Sequence, residues 1–344
     1  MSIVTALLSY GMSGRVFHAP FIDTHPGFKL AGSWERSKKQ IRDHYLSSKS
    51  YDSLDSILND ESIQLVVVNT PTNTHYEFAR KALNAGKHVI VEKAFTTTAS
   101  EAMALDALAE AKGKMLSVYQ NRRWDSDFLT AKSVIDKGLL GDLVEITLSF
   151  ERYKGELSPK LHKELPGPGA GLLNDLGPHL IDQALVLFGM PDSLFTKLAI
   201  RRKGSQVDDY FEILMMYPSF IVRLRSTYFA KEPGPAFVLH GTRGTFQKLR
   251  GDVQEADLQK GLTPTGADWG LEPVERAGVL HLDGQEKTTV KALRGDYMAY
   301  YEGIYQAIKN GVSPPVTAAD GVNVMKILEA ARRSDHEQRV VAIV

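Results

Sequence analysis

Over the first third of the chain, short apolar runs alternate with polar segments of helix length. Ile3–Leu8 breaks into Ser9-Tyr10-Gly11-Met12-Ser13-Gly14-Arg15, after which a helical pattern resumes through Val16 and Phe17. Further runs at Phe28–Trp34, Leu65–Asn69, Val89–Val91 and Leu116–Tyr119 are short, β-branched and bounded by turn residues, as buried parallel strands are. Helical patterns at His75–Ala85 and Ala99–Lys112 separate the later ones. The repeated βα unit predicts an α/β domain with a doubly wound parallel sheet over residues 1–120.

From residue 121 to 344 the texture changes. A helix is expected at Phe128–Lys137, followed by period-two segments at Glu145–Tyr153, Leu194–Arg202, Tyr210–Tyr217 and Ile221–Tyr228. Such alternation predicts an α+β domain whose sheet is mainly antiparallel with one covered face. Between these strands the stretch Leu165-Pro166-Gly167-Pro168-Gly169-Ala170-Gly171 leads into a helix beginning near Leu172, and Thr317–Arg332 carries a helix pattern suited to packing.

Composition narrows the chemistry. A chain of 344 residues suits two domains, each able to bury its own core. It has no cysteine, so thiolate zinc sites, disulfides and cysteine nucleophiles are excluded, and any redox chemistry must come from a cofactor. Forty-one basic residues balance forty-one acidic ones, which argues against nucleic acid as a partner. The first residues lack a basic leader pattern and no apolar run is long enough to span a bilayer, so a cytoplasmic protein without a membrane partner is expected.

The turn after the first strand is where glycines allow a tight bend, close approach of a pyrophosphate, and packing of helix on sheet. Gly11 and Gly14 match two glycines of G-x-G-x-x-G, and Ser9 stands in place of the first. With Met12 and Ser13 they form a candidate dinucleotide turn of the Rossmann kind; the competing reading is an ordinary βα turn. Glu35, 21 residues past Gly14, suits a ribose diol and favours NAD. Arg36, Lys38 and Lys39 beside it suit a 2′-phosphate, or form a solvated charge cluster. Thr70, Pro71, Asn73 and His75 follow the third long strand at its carboxyl end, where such sheets bind ligands, though Asn73 or Thr74 also suits a helix cap and His75 a structural role.

Glu92-Lys93 leaves another strand at its carboxyl end, where core packing explains a charged pair poorly. A lysine there can hold a substrate hydroxyl and favour its deprotonated form, with Glu92 fixing the lysine or a ribose; a plain surface lysine is the rival. Asp175 and His179 are four apart, on one face if helical, although Pro178 between them would be tolerated only near a helix start. If the helix begins at Pro178, Asp175 becomes its cap. Histidine suits transfer of an alcohol proton near neutrality. Asp175, His179, Asp182 and His162 match no strong metal pattern and no HExxH occurs, so no metal is expected.

Taken together, Gly11–Pro20, Thr70–His75, Glu92-Lys93-Ala94 and Asp175-x-x-x-His179 resemble, in order and over the whole chain, the glucose-fructose oxidoreductase and inositol dehydrogenase family (Gfo/Idh/MocA). Ala94 replaces the proline of the family's E-K-P motif, as Ser9 replaces its first glycine. The resemblance implies that Lys93, Asp175 and His179 form the catalytic set and that nicotinamide lies between the domains. It implies that Gly11, Met12, Ser13, Gly14, Glu35, Arg36, Thr70, Pro71, Asn73, His75, Glu92, Lys93 and Asn121 hold NAD or NADP. Gln120-Asn121-Arg122-Arg123-Trp124-Asp125, with Arg152-Tyr153 and Asp268-Trp269-Gly270, looks like a subgroup that includes scyllo-inositol dehydrogenases. Those enzymes often use NADP and tend to carry a small or basic residue where this chain has Glu35, so both cofactors stand. Arg123, Trp124 and Tyr153 become candidate sugar neighbours, against an ion pair for Arg123 and packing for Trp124. The implied function is hydride transfer between a sugar or cyclic polyol and nicotinamide, in a homo-oligomer such as a dimer or tetramer. The alternatives are a non-catalytic dinucleotide-binding regulator and a glycosidase or dehydratase using transient internal redox.

Overall fold

The computed structural model describes residues 2–35, 38–158 and 164–343. The chain forms two compact units, the first comprising residues 1–121, 253–269 and 296–322 and the second 122–252, 270–295 and 323–344.

The first unit holds β1 (Ile3–Leu7), β2 (Phe28–Trp34), β3 (Lys49–Tyr51), β4 (Leu65–Val68), β5 (His88–Glu92) and β6 (Leu116–Tyr119). They form a parallel sheet in the order β3-β2-β1-β4-β5-β6, with Thr5 opposite Leu65 and Ile3 opposite Phe28. Burial on both faces explains the unbroken apolar run Leu65–Val68, every residue of which is shielded from solvent. Neighbouring strands β2 and β4 leave β1 on opposite sides, so the carboxyl end of β1 is the switch point at which doubly wound sheets bind ligands. Helices α1 (Ala19–Thr24), α2 (Ile41–His44), α3 (Leu54–Leu58), α4 (His75–Asn84) and α5 (Ala99–Lys112) fill the crossovers. Thr98 caps α5 by accepting from the Glu101 amide, and Gly113 at φ 59° ends it. The short strand β3 is an addition to the strands expected from the apolar pattern.

Segments from late in the chain complete this unit. Tyr297, Tyr300 and Tyr301, at the start of the helix Met298–Asn310, are fully buried, and Tyr301 stacks on Phe21 with ring centres 5.4 Å apart. Ser117 on β6 donates to the Val316 carbonyl and bonds the Tyr300 hydroxyl.

The second unit has β7 (Leu143–Ser149), β8 (Ser193–Ala199), β9 (Tyr210–Met216), β10 (Ile221–Thr227), β11 (Phe237–Gly241), β12 (Gly244–Lys248), β13 (Gly278–Leu282), β14 (Thr288–Val290) and β15 (Val341–Ala342). The order is β14-β13-β12-β11-β7-β10-β9-β8-β15; β7 and β10 run parallel and the other pairs antiparallel. Alternate residues of β9 and β10 are buried, as a sheet with one covered face requires. The unit also contains α6 (Ser126–Asp136) and α7 (Leu172–Phe188).

One expected strand end shifts for an identifiable reason, while the helix expected near Leu172 begins there. The strand expected to reach Arg202 stops at Ala199, because the buried Asp209 carboxylate accepts the Arg201 and Arg202 amides at 2.8 and 2.7 Å. The α7 helix starts at Leu172, so Pro178 lies inside it and Asp175 sits in its first turn rather than serving as a cap before Pro178.

Candidate active site

The glycine turn is tight because backbone passes against backbone. A Cβ on Gly14 would lie 2.3 Å from the Ser9 carbonyl oxygen and 2.9 Å from Asn69 Nδ2, distances that real side chains do not reach. Ser9 makes up for the missing glycine in a different way: its hydroxyl accepts the Gly11 amide at 3.1 Å, closing the bend locally. Asn69, leaving β4, donates to the Ser9 carbonyl at 2.8 Å and so ties the turn to the next strand. A π-helical turn, Gly14–His18, follows and runs into α1, the Ala19 amide reaching back to the Gly14 carbonyl. Pro20 just beyond has no amide to give to an α-helical ladder, which favours the wider turn.

Glu92, at the end of β5, is the junction of this unit. One carboxylate oxygen accepts the Ser13 hydroxyl at 2.7 Å and faces His18 Nε2 at 3.1 Å, while the other accepts the Lys93 amide at 3.1 Å. His18 Nδ1 meets the Tyr301 hydroxyl at 2.7 Å, and that hydroxyl also reaches the Phe17 carbonyl at 3.1 Å. Burial alone would raise the Glu92 carboxyl, but the bonds from His18 and Ser13 and the charge of Lys93 outweigh it and hold it below its ordinary range. Lys93 is half-buried, and its peptide bond to Ala94 is cis. His18 and Tyr301 were not among the expected site residues. His18 stood inside the quoted motif without a role, and Tyr301 carried no signal, since nothing local distinguishes it from a core tyrosine.

Beside the turn opens a cavity of about 580 Å³, within the ~300–1,000 Å³ of ordinary ligand sites. Gly11, Met12, Thr70, Pro71, Asn73, Glu35 and Lys38 line it, with Arg15, Gln40, Trp34 and Phe78 among the others. Trp34 and Phe78 meet edge to face at 5.7 Å. Thr70 and Thr74 hydroxyls bond each other at 2.6 Å. His75 is buried, its ring nitrogens 2.9 Å from the Ala94 carbonyl and 2.8 Å from that of Thr70, and burial pushes its pKa down. It therefore fixes the loop after β4 and the Lys93-Ala94 loop to each other instead of facing the cavity. Glu35 is buried, and its carboxylate accepts the Gln40 amide at 2.7 Å, the Ile41 amide at 3.1 Å and the Ser50 hydroxyl at 2.9 Å. Asn121 is buried and opens a short 3-10 turn. Arg36 lies outside the described residues. The cradle at Gly14, which a side chain would fill, together with the exposed Gly11 and Met12 at a helix start, fits a dinucleotide pyrophosphate.

In the second unit, Asp175 and His179 lie one turn apart on α7. Gly171 at φ 88° starts this helix, and Asp208 accepts the Leu173 amide at 2.6 Å. The Tyr228 hydroxyl stands 3.5 Å from Asp175 Oδ2, and burial, then the Asp175 charge, raises its pKa. His179 is buried and Asp175 half-buried. Arg123 forks onto Asp182 at 2.9 and 2.7 Å, so its guanidinium is held within the protein. Trp124 is half-buried, whereas Tyr153 is exposed, with the Lys231 ammonium 4.9 Å from its ring centre. His162 lies outside the described residues.

The fold and the turn fit a dinucleotide-binding protein, and comparison with known proteins gives the family and its chemistry. Residues 5–120 match the NAD-binding Rossmann fold of the Gfo/Idh/MocA oxidoreductase family and residues 132–343 its C-terminal alpha/beta domain. The chain belongs to that family and is an NAD(P)-dependent oxidoreductase. It is 36% identical to scyllo-inositol 2-dehydrogenase (NADP(+)) IolW of Bacillus subtilis, covering 99% of this chain and 96% of that protein. A crystal structure from Bacteroides fragilis NCTC 9343 superposes with a TM-score of 0.91 at 43% identity, over 99% of this chain and 100% of the other. For yvaA of Bacillus subtilis the TM-score is 0.96 at 36% identity, over 100% and 99% of the two chains. Among the described residues, no helix is long and apolar enough to cross a membrane.

Proposed function

We propose that the chain is a dehydrogenase of sugars or cyclic polyols, with Lys93, Asp175 and His179 as its catalytic residues. The observation that carries the proposal is the junction at Glu92: the same carboxylate that takes the Ser13 hydroxyl of the glycine turn also takes the backbone amide of Lys93, so the chain carrying Lys93 is tied to the dinucleotide turn. Bound there, nicotinamide supplies the acceptor or donor of a hydride. Lys93 holds the substrate hydroxyl and stabilises negative charge on its oxygen. His179 takes the hydroxyl proton and returns it in the reverse direction, and Asp175 orients substrate or histidine. Placing Asp175 and His179 on one helix face supports this pairing. The inositol dehydrogenase activity named for the Bacillus subtilis relative favours a cyclic polyol as substrate.

A panel of inositols and aldoses assayed with NAD⁺ and NADP⁺, read by absorbance of the reduced nicotinamide, identifies the substrate. His179→Ala should then lose at least about a hundredfold in kcat, the usual worth of a general base, while dinucleotide binding measured by fluorescence titration stays unchanged. Turnover at the wild-type rate would remove His179 from this role.

A further inference from the structure

An acidic residue after the second strand of such a sheet ordinarily chelates the adenine-ribose diol and selects NAD. Glu35 occupies that place in sequence, but its carboxylate is already in use. Of the four or so lone-pair positions a carboxylate offers, three are filled by the Gln40 amide, the Ile41 amide and the Ser50 hydroxyl. With one position left, engaging both ribose hydroxyls would require Glu35 to release at least one of these donors, two of which are backbone amides at the start of α2. The residue is 8% exposed and acts as a cap for that segment.

The charge that faces the cavity is of the opposite sign. Among the described residues, Arg15 and Lys38 line it together with Glu35, two formal positive charges against one negative. Lys39, by contrast, is drawn off by Asp52 at 2.6 Å and does not line it. Tyr10, also in the lining, has its hydroxyl pushed up to about 12 by burial, with Arg15 opposing and Glu35 adding to the effect; both charges therefore act at this end of the cavity. A guanidinium and an ammonium suit a phosphate dianion, whereas a free 2′-hydroxyl offers them only a neutral acceptor.

From this geometry we infer that the site selects the 2′-phosphorylated dinucleotide, with Lys38 and Arg15 receiving the phosphate and Glu35 serving as a structural cap. The inference rests on the reading of this cavity as the dinucleotide site. Binding to the whole 344-residue chain is measured by calorimetry with NADP⁺, NAD⁺, 2′,5′-ADP and 5′-AMP. NADP⁺ and 2′,5′-ADP should bind at least about tenfold tighter than their partners lacking the phosphate, by a margin that shrinks as salt rises. Lys38→Ala should cut that margin several-fold through the phosphorylated ligands alone, and Glu35→Gln should leave the NAD⁺ affinity within about twofold. Equal or tighter binding of NAD⁺, or a tenfold loss of NAD⁺ affinity in Glu35→Gln, overturns the inference. Should Glu35→Gln not fold, the wild-type ratio and Lys38→Ala still decide it. If neither dinucleotide binds, the failure lies with the underlying reading of the cavity.

Discussion

Single positions carry constraints that composition cannot reveal. Gly171 combines a φ of 88° with a Cβ direction that would meet Asp208 Oδ1 at 2.2 Å, at the entry to the helix bearing Asp175 and His179. Gly171→Ala therefore faces a penalty of about 1–3 kcal/mol for a positive-φ, extended-ψ backbone that is essentially restricted to glycine, and the displacement of a carboxylate that caps α7. Urea denaturation should show a loss of at least about 1 kcal/mol. Stability within error of wild type would mean that Asp208 moves aside without cost. Ser9 illustrates the converse, since a departure from the glycine pattern is absorbed by a hydroxyl-to-amide bond inside the turn.

Between elements, buried charge sets the stakes. Lys248 on β12 and Glu272 are both fully shielded and meet at 2.6 Å, and Lys248 also donates to the carbonyls of Leu249 and Arg276. Lys248→Met strands Glu272 without its cation, so a loss of about 3–5 kcal/mol is expected, while Lys248→Met combined with Glu272→Leu should cost clearly less. A double variant as unstable as the single one would contradict this account. The Glu92 junction shows the same economy in the first unit. Tyr301→Phe removes a hydroxyl that serves both His18 and the Phe17 carbonyl, and should cost about 1–3 kcal/mol in thermal melts. No change at all would show that neither bond matters.

At the scale of the molecule, the buried acidic and basic cluster of the second unit should be visible in the pH dependence of stability. Burial pushes the Asp125 carboxyl up to about 8; Arg122 opposes this, Asp252 and Asp127 add to it, and Arg250 opposes it again. The folded chain thus keeps a proton that the unfolded chain releases near 3.8, and this group's contribution falls as pH rises towards 8. His75 and His88, whose pKa values burial lowers from 6.5, give the opposite slope, but only below that value. Between pH 6.5 and 8 the melting temperature should therefore decline, by up to about 1.4 kcal/mol per pH unit in stability. Asp125→Asn should flatten that decline. An equal slope in the variant would assign it to another group.

Local pattern alone was enough to specify the βα repeat, the glycine turn, the helix from Leu172 and the one-face spacing of Asp175 and His179, because strand burial and helix periodicity are written in neighbouring residues. Long-range pairing decided the rest. The return of residues 253–269 and 296–322 to the first unit, and the meeting of Tyr301 with His18 across nearly the whole chain, depend on surfaces that exist only after folding. Glu35 is the sharpest instance. Its place in the sequence argues for a ribose ligand, but whether a carboxylate is free to bind depends on which donors the fold brings to it, and here the fold brings three.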